Sequence, residues 1–139
     1  MAELPTDLQE ANRKTIEQFR AAGRNLEGRP LLLLNTTGAK SGQPRTNPMM
    51  YVEIDDRLLV VASNAGAPKD PDWFRNLVAH PRVTVEHGGE EYQATAVVPT
   101  GEERDKLFAE VVQRFPFFGE HQAGVERKIP VVELVRVQP

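Results

Sequence analysis

Residues 31–51 read LLLLNTTGAKSGQPRTNPMMY, an apolar run, a short loop and a second extended segment. The four leucines are too few to span a membrane and too uninterrupted for a surface helix, so they predict a buried strand. Pro44 and Pro48 lack an N–H and favour extended geometry, so the chain should leave the loop as a second strand. Strand, turn and strand is therefore the centre of the predicted fold.

The loop between these strands is rich in glycine and positive charge. Gly38 and Gly42 permit backbone conformations closed to other residues, so several N–H groups could converge on one ligand. Lys40 and Arg45 add two full charges, and the pattern predicts a site for an oxyanion such as phosphate. The competing interpretation is an ordinary hairpin turn with solvated Lys and Arg, which is the commoner origin of so short a pattern.

The same loop is not a nucleotide P-loop. That motif needs two glycines in a fixed order before Lys and Ser or Thr, and it opens a helix. The order is absent here, and Pro44 and Pro48 forbid a helix after the loop. ATP or GTP hydrolysis is therefore disfavoured.

Length and composition limit the function classes. The 139 residues suit one domain, with a helix and linker expected over 1–30 and the main domain over 31–139. Seventeen basic and twenty acidic residues give a net charge of −3, so no overall basic field gathers nucleic acid. The chain has no cysteine, which excludes a thiolate nucleophile or thiolate metal site. No apolar signal segment is present in residues 1–30, and a cytoplasmic protein is expected.

The periodicity of apolar residues and the positions of Gly and Pro predict an α+β chain of three helices and six strands. Helices are expected over 6–22, 71–79 and 101–114, and strands from 31, over 46–54, 58–63, 82–87, 91–98 and 129–137. The first helix has a thin apolar stripe, which favours packing on the outside of the domain over a membrane-surface anchor. Six strands of this size favour a closed or partly split antiparallel β-barrel, because closure removes exposed edges.

Turns and caps refine this prediction. Gly88-Gly89 suits a tight hairpin, and the first three strands should form an antiparallel meander. Asp70 is expected to cap the second helix with Pro71 as its first residue, and Thr100 with Glu103 to form a capping box. The segment Phe115, Pro116, Phe117 and Phe118 is expected to leave the third helix as an aromatic corner.

Two loops should meet at one end of the sheet. The third strand runs parallel to the first, so the loop after Ser63 emerges beside the loop that holds Lys40. A helix beginning at Pro71 would add a partial positive charge, Lys69 a full one, and Trp73 a flat apolar wall. The competing interpretation of Trp73 is a core residue that holds its helix to the barrel.

Familiar catalytic sets are missing. No Gly-x-Ser-x-Gly motif occurs, and His80, His87 and His121 are too scattered to predict a metal site. An enzyme built this way would take its reactivity from a bound organic coenzyme.

LLLLNTTGAKSGQPRTNPM, LLVVASNAGAPKDPDWFRNL and HPRVTV together resemble the deazaflavin-dependent nitroreductase family of actinobacteria, over about residues 31–137. The resemblance implies a six-stranded split β-barrel, like the FMN-binding split barrels, and coenzyme F-420, an 8-hydroxy-5-deazaflavin with a phosphodiester and an oligoglutamate tail. It implies hydride transfer from the reduced coenzyme to an electron-poor acceptor such as a quinone, a nitroaromatic or an enone.

The resemblance also implies site residues. The phosphate and tail would contact Lys40, Ser41, Gly42 and Arg45, and the linker and ring would lie along Asn47, Pro48 and Met49. The ring edge would contact the backbone of Val61, Ala62, Ser63 and Asn64, and the far wall would comprise Lys69, Asp72, Trp73 and Asn76. Related nitroreductases carry tyrosines around the acceptor where this chain has Phe115, Phe118 and His121, and Lys in some cases where it has Asn64. Ser63, His121 or water would supply the proton.

Three alternatives remain at this point. An FMN-binding split-barrel oxidoreductase would share the fold and the anion site. A non-catalytic protein would bind the deazaflavin or another anion without turnover. A quinone reductase held at the inner face of the plasma membrane would differ in location and substrate only. The oligomeric state is left open by the sequence.

Overall fold

The computed structural model describes residues 6–25 and 30–137, with side chains from residue 10 onward. Four α-helices and seven strands make up an α+β fold. The helices are α1 (Thr6–Ala21), α2 (Asp72–Ala79), α3 (Gly101–Arg114) and α4 (Phe117–Ala123). The strands are β1 (Leu31–Thr37), β2 (Pro44–Met50), β3 (Val52–Ile54), β4 (Arg57–Val61), β5 (Arg82–His87), β6 (Glu90–Val97) and β7 (Val131–Arg136).

The strands form one antiparallel sheet in the order β2-β1-β5-β6-β7-β4-β3. The two outermost strands, β2 and β3, are consecutive in the chain and are separated by Tyr51 alone. β2 pairs with β1, and β3 pairs with β4 at the opposite side of the sheet. The sheet is therefore curled, because one continuous segment supplies both of its outer strands.

The predicted count of six strands and three helices differs from the seven strands and four helices described. The predicted strand over 46–54 is divided at Tyr51, where the chain passes from one partner strand to the other. Tyr51 still donates its N–H to the Pro30 carbonyl at 3.0 Å. The extra strand thus comes from a bend within one predicted strand, which alternation of apolar residues cannot reveal.

The extra helix, α4, replaces the expected aromatic corner. Pro116 ends the preceding helix and occupies the cap position of α4, which then includes Phe117 and Phe118. Gly119 lies within this helix and is a poor helix former, so the sequence pattern favoured a turn. Packing of Phe118 in the core outweighs this local preference.

Two predicted helix caps are wrong. Pro71, not Asp70, is the cap residue of α2, and no side chain caps that helix. The Asp70 carboxylate instead accepts a hydrogen bond from Arg127 Nη1 at 2.7 Å. Thr100 is the cap residue of α3 but makes no side-chain cap bond, and Glu103 lies 3.6 Å from Arg57. Ion pairing across the fold competes for both carboxylates.

Two apolar clusters lie on the two faces of the curled sheet. One contains Leu32, Leu34, Val60, Val85 and Val132, with Leu77 of α2 packed against them. The other joins Val52, Leu59 and Val131 to Leu107, Phe108 and Val111 of α3 and Phe118 of α4. Helix α2 therefore packs on one face and helices α3 and α4 on the other.

Helix α1 is held outside the sheet by a buried carboxylate. Glu86 of β5 is 2% exposed and accepts two hydrogen bonds from Arg20, at 2.9 and 2.7 Å, and one from Arg24 at 3.0 Å. Asn35 of β1 donates a further bond at 2.9 Å. The Arg20 guanidinium, followed by Asn35 and Arg24, lowers the pKa of Glu86 below its ordinary value despite burial. This agrees with the expectation that α1 packs on the domain.

The expected linker after α1 falls mostly on residues 26–29, outside the described residues. No helix within residues 6–25 and 30–137 is long and apolar enough to cross a membrane.

Candidate functional site

The strand registers place the two predicted loops at the same end of the sheet. β1 ends at Thr37, which pairs with Pro44, and β4 ends at Val61, which pairs with Val131. Following the antiparallel pairs around the sheet places both ends at the same edge. We call this edge the upper rim, formed by the loop over 38–43 and the segment over 62–71. The turns at 55–56 and 88–89 form the opposite, lower end.

Asn76 of α2 binds the first part of the rim, the loop over 38–43. Its Oδ1 accepts the Ala39 N–H at 2.9 Å, and its Nδ2 donates to Thr36 Oγ1 at 3.2 Å. The side chain is 8% exposed. Asn76 was predicted on the wall of the coenzyme site, and here it holds the loop over 38–43 against α2.

The loop over 38–43 uses three of its six N–H groups for hydrogen bonds within the loop. Gly38 donates to Gln43 O at 2.8 Å, Gly42 to Gly38 O at 3.0 Å and Gln43 to Ser41 Oγ at 3.2 Å. A Cβ on Gly38 would lie 2.4 Å from Ser41 Oγ and 3.3 Å from Gln43 O, so a side chain there would displace the Ser41 hydroxyl from the Gln43 N–H. These donors therefore stabilise the turn itself, and the convergence of the remaining Lys40 and Ser41 N–H groups on an anion stays a prediction.

The positive side chains of the rim remain accessible. Lys40, Arg45 and Lys69 are exposed, and among the described residues none of the three pairs with a carboxylate. Any attraction of this rim for an anion rests on these side chains. Asp72, also predicted here, is exposed and pairs with Arg75.

The segment after β4 contains a left-handed turn. Asn64, Ala65 and Gly66 have φ of 51°, 53° and 81°. Ala65 carries a Cβ, and this conformation costs a residue with a Cβ about 1–2 kcal/mol. Three consecutive residues in this region need support from their surroundings.

Arg127 supplies that support. Its guanidinium donates to the carbonyls of Ala62, Ser63 and Ala67 and to the Asp70 carboxylate, at 2.7 to 3.2 Å. These acceptors lie on both sides of the left-handed turn. Arg127 was not predicted as a site residue, because Glu126-Arg127-Lys128 is typical of a run of solvated charge.

The predicted acceptor residues are near this turn. The ideal Cβ position of Gly66 lies 3.5 Å from His121 Cδ2, so the α4 histidine packs on the turn that follows Ser63. The His121 ring is 6.1 Å from the ring of Phe118, which is 6.5 Å from that of Phe115. Among the described residues His121 Nδ1 is a buried side-chain atom with no hydrogen-bond partner. Phe117, 38% exposed and 5.8 Å from His121, belongs to this aromatic group but was not predicted there.

The other predicted coenzyme residues are distributed along the same two segments. Asn47 and Met49 pair with Leu34 and Leu32 and share their face of the sheet, whereas Pro48 pairs with Leu33 on the other face. Ala62 and Ser63 are buried and Asn64 is exposed. Trp73 is partly buried and packs against the core, which supports its competing interpretation as a packing residue. Val61 packs on the cluster beneath α3 and α4.

A cavity of about 380 Å³ lies at the lower end, away from the predicted site. Its lining includes Tyr92, His87, Glu53 and two arginines that are already paired, Arg57 with Glu133 at 2.8 Å and Arg136 with Glu90 at 3.1 Å. Burial lowers the pKa of His87 and raises the pKa of Tyr92.

Charge favours the rim over this cavity as the functional site for an anion. At the lower end every arginine that lines the cavity has a carboxylate partner, and Glu53 and Asp56 add negative charge. At the upper rim three cations are exposed and without a described carboxylate partner. On charge, the rim is therefore the better anion site.

Comparison with known proteins identifies relatives. The profile of the F-420H(2)-dependent quinone reductase family matches residues 9–136. An F-420H(2)-dependent quinone reductase of Mycobacterium tuberculosis is 39% identical over 110 residues, which cover 77% of this chain and 74% of that protein.

Two solved structures are also similar to this chain. One, described as an F-420-H2 dependent reductase, is 40% identical, has a TM-score of 0.68 and is matched over 76% of this chain and 94% of its own. Another, described as a domain-swapped dimer, is 38% identical, has a TM-score of 0.71 and is matched over 94% of this chain and 99% of its own.

Proposed function

The chain belongs to the F-420H(2)-dependent quinone reductase family, and we propose that it oxidises reduced coenzyme F-420 with a small electron-poor acceptor. A quinone is the first acceptor to test. The observation that carries this proposal is that Lys40, Arg45 and Lys69 are exposed at one end of the sheet, on the two segments of the family pattern. We also propose that β2 and β3 act as one strand, which makes the sheet the six-stranded split β-barrel implied by the resemblance.

The donor set of the rim fits the coenzyme. A phosphodiester and oligoglutamate tail is polyanionic, and Lys40, Arg45 and Lys69 offer charge without a competing carboxylate among the described residues. The flat ring would lie toward Asn47, Met49 and Trp73, with Ser63 and Asn64 at its edge. Ser41 and Gly42 would act by shaping the loop, since their groups already bond within it.

When bound, the reduced deazaflavin supplies a hydride from its C5. The chain's own residues hold donor and acceptor together, and positioning of this kind can lower a barrier by several kcal/mol. Phe115, Phe118 and His121 would pack the acceptor and exclude water. His121 and Ser63 border the left-handed turn and are the side chains proposed to supply the proton.

The proposal is tested by mixing the purified protein with F-420H2 and following its reoxidation with menadione, a nitroimidazole and a coumarin. Menadione is expected to be reduced. The spectrum of any copurified chromophore identifies an FMN-binding protein, and tight binding without turnover of any acceptor identifies a non-catalytic carrier. Sedimentation with vesicles tests the proposed alternative location at a membrane surface.

Removal of two rim charges tests the site. Lys40→Ala combined with Arg45→Ala is expected to weaken coenzyme binding, because each lost charge-assisted contact is worth about 1.5–3 kcal/mol. The matched control is Lys106→Ala with Arg114→Ala, which removes two exposed cations from α3. A rim variant that binds the coenzyme as tightly as this control would contradict the site assignment.

We further propose that the protein forms a dimer, since a 38% identical structure is described as a domain-swapped dimer. The partition into a helix and linker over 1–30 and a coenzyme domain over 31–139 also stands as a proposal.

A further inference from the structure

Every N–H donor of Arg127 has an acceptor in the segment over 62–70. Nε donates to Ala67 O, Nη1 to Ala62 O and Asp70 Oδ1, and Nη2 to Ser63 O and Ala67 O. A guanidinium has five such donors in one plane, so its hydrogen-bonding capacity is fully used. The side chain is 16% exposed, which protects these bonds from competition by water.

Two consecutive peptide groups are oriented by these bonds. The carbonyls of Ala62 and Ser63 both face Arg127, at 3.2 and 2.9 Å. In a trans peptide the N–H points opposite to the carbonyl of the same unit. The N–H groups of Ser63 and Asn64 therefore point away from Arg127, side by side.

These two N–H groups have no protein acceptor in the described part of the chain. Across residues 6–25 and 30–137 neither donates to another protein group. They lie at the upper rim, at the start of the left-handed turn that packs against His121. Adjacent donors of this kind bind a carbonyl oxygen or a delocalised anion.

We propose that Arg127 is a positioning residue that orients the Ser63 and Asn64 N–H groups as a donor pair for the polar edge of the deazaflavin ring. This inference rests on the proposed function. Arg127 contacts the loop and not the coenzyme, and its effect is transmitted through two peptide planes. The ligand group is a ring carbonyl or ring nitrogen that carries negative charge.

If Arg127 only stabilised the fold, its substitution would lower the free energy of unfolding and leave the affinity for the deazaflavin ring unchanged. Arg127→Lys separates the two, because one ammonium has three donors and cannot reach four acceptors spread around a planar fork. The matched control is Arg20→Lys, which breaks the paired bonds to buried Glu86 far from the rim. Urea unfolding of both variants measures their stability.

The binding experiment uses two ligands, the whole coenzyme and the deazaflavin that lacks the phosphodiester and oligoglutamate tail. Arg127→Lys is expected to weaken both by the same factor, about tenfold or more, since the loss of two aligned hydrogen bonds falls on the shared ring. Arg20→Lys should lower the urea midpoint and leave both Kd values within about twofold of wild type. Lys40→Ala with Arg45→Ala should weaken the whole coenzyme alone.

Each result bears on a separate claim. Unchanged Kd values in a folded Arg127→Lys variant overturn the inference and leave the proposed function standing, and so does weakening confined to the whole coenzyme. Failure of the wild type to bind either ligand overturns the proposed function and the inference with it. If Arg127→Lys does not fold, Asp70→Asn removes the charged partner of Nη1 and should weaken both ligands equally; unchanged binding there also overturns the inference.

Discussion

Glu86 shows how one buried charge fixes an element that the apolar pattern holds only weakly. The apolar stripe of α1 is thin, yet Phe19 is fully buried and Arg20 and Arg24 both reach Glu86. A carboxylate that is 2% exposed is tolerated because three side chains donate to it. The helix is therefore anchored by charge as well as by apolar contact.

Glu86→Gln should destabilise the protein by about 2 kcal/mol, a value below that of a fully buried pair because both arginines are partly exposed. The pKa of Glu86 is lowered in the folded state. Its contribution is thus complete above the ordinary glutamate pKa of about 4.3 and is lost as pH falls through the folded value. Urea unfolding from pH 7 to 3 should show a smaller acid loss in Glu86→Gln. Glu91→Gln is the control, and an equal loss in both would contradict the assignment.

At the scale of elements, the rim is assembled by contacts between segments that are distant in sequence. Asn76 joins α2 to the loop over 38–43, Arg127 holds the segment before α2, and His121 of α4 packs on the turn at Gly66. The loops that carry the exposed cations are thus held in place by side chains from other parts of the chain.

Asn76→Ala should disconnect α2 from the loop that carries Lys40. It removes the acceptor of the Ala39 N–H and a donor to Thr36, and an unsatisfied buried group costs about 1–3 kcal/mol. We expect a loss of stability in that range together with weaker coenzyme binding, measured by urea unfolding and by ligand titration. Gln113→Ala, which removes an exposed amide from α3, is the control in which the α2 contact is kept. Full coenzyme affinity in a destabilised Asn76→Ala variant would show that the loop position does not depend on α2.

At the scale of the whole molecule, the curled sheet has two unlike ends. The upper rim carries cations that pair with no carboxylate of the described residues, and the lower end holds a cavity of about 380 Å³ whose arginines are paired with carboxylates. The net charge of −3 is therefore unevenly placed, and an anionic ligand should be drawn to one end.

Arg136→Ala provides the test of which end binds. Arg136 pairs with Glu90 and lies 4.4 Å over the Tyr92 ring, so its removal changes the lower cavity. Because sites this far apart act independently, we expect a coenzyme Kd within about twofold of wild type, measured beside the Lys40 and Arg45 double variant. A large loss of affinity in Arg136→Ala would move the site to the lower end.

The sequence alone determined the local features. The apolar run over 31–34 opens the strand that it predicted, and Gly88-Gly89 takes the positive φ values, 62° and 83°, that a tight hairpin needs. Chain direction follows from short turns, so the meeting of the loops after β1 and β4 at one rim was also predictable. These features depend on neighbours in sequence, and the residue pattern records such neighbours directly.

The tertiary structure alone decided the rest. Asp70 was expected to cap α2, but its carboxylate accepts a hydrogen bond from Arg127, 57 residues away. Asn76 accepts a hydrogen bond from a loop 37 residues earlier. Both Glu126 and Arg127 have the sequence context of surface charge, and only the position of the 62–70 segment gives the Arg127 guanidinium its four acceptors. Long-range hydrogen bonds of buried polar groups leave no periodic signal, because each partner is chosen by the packed chain and not by its sequence neighbours.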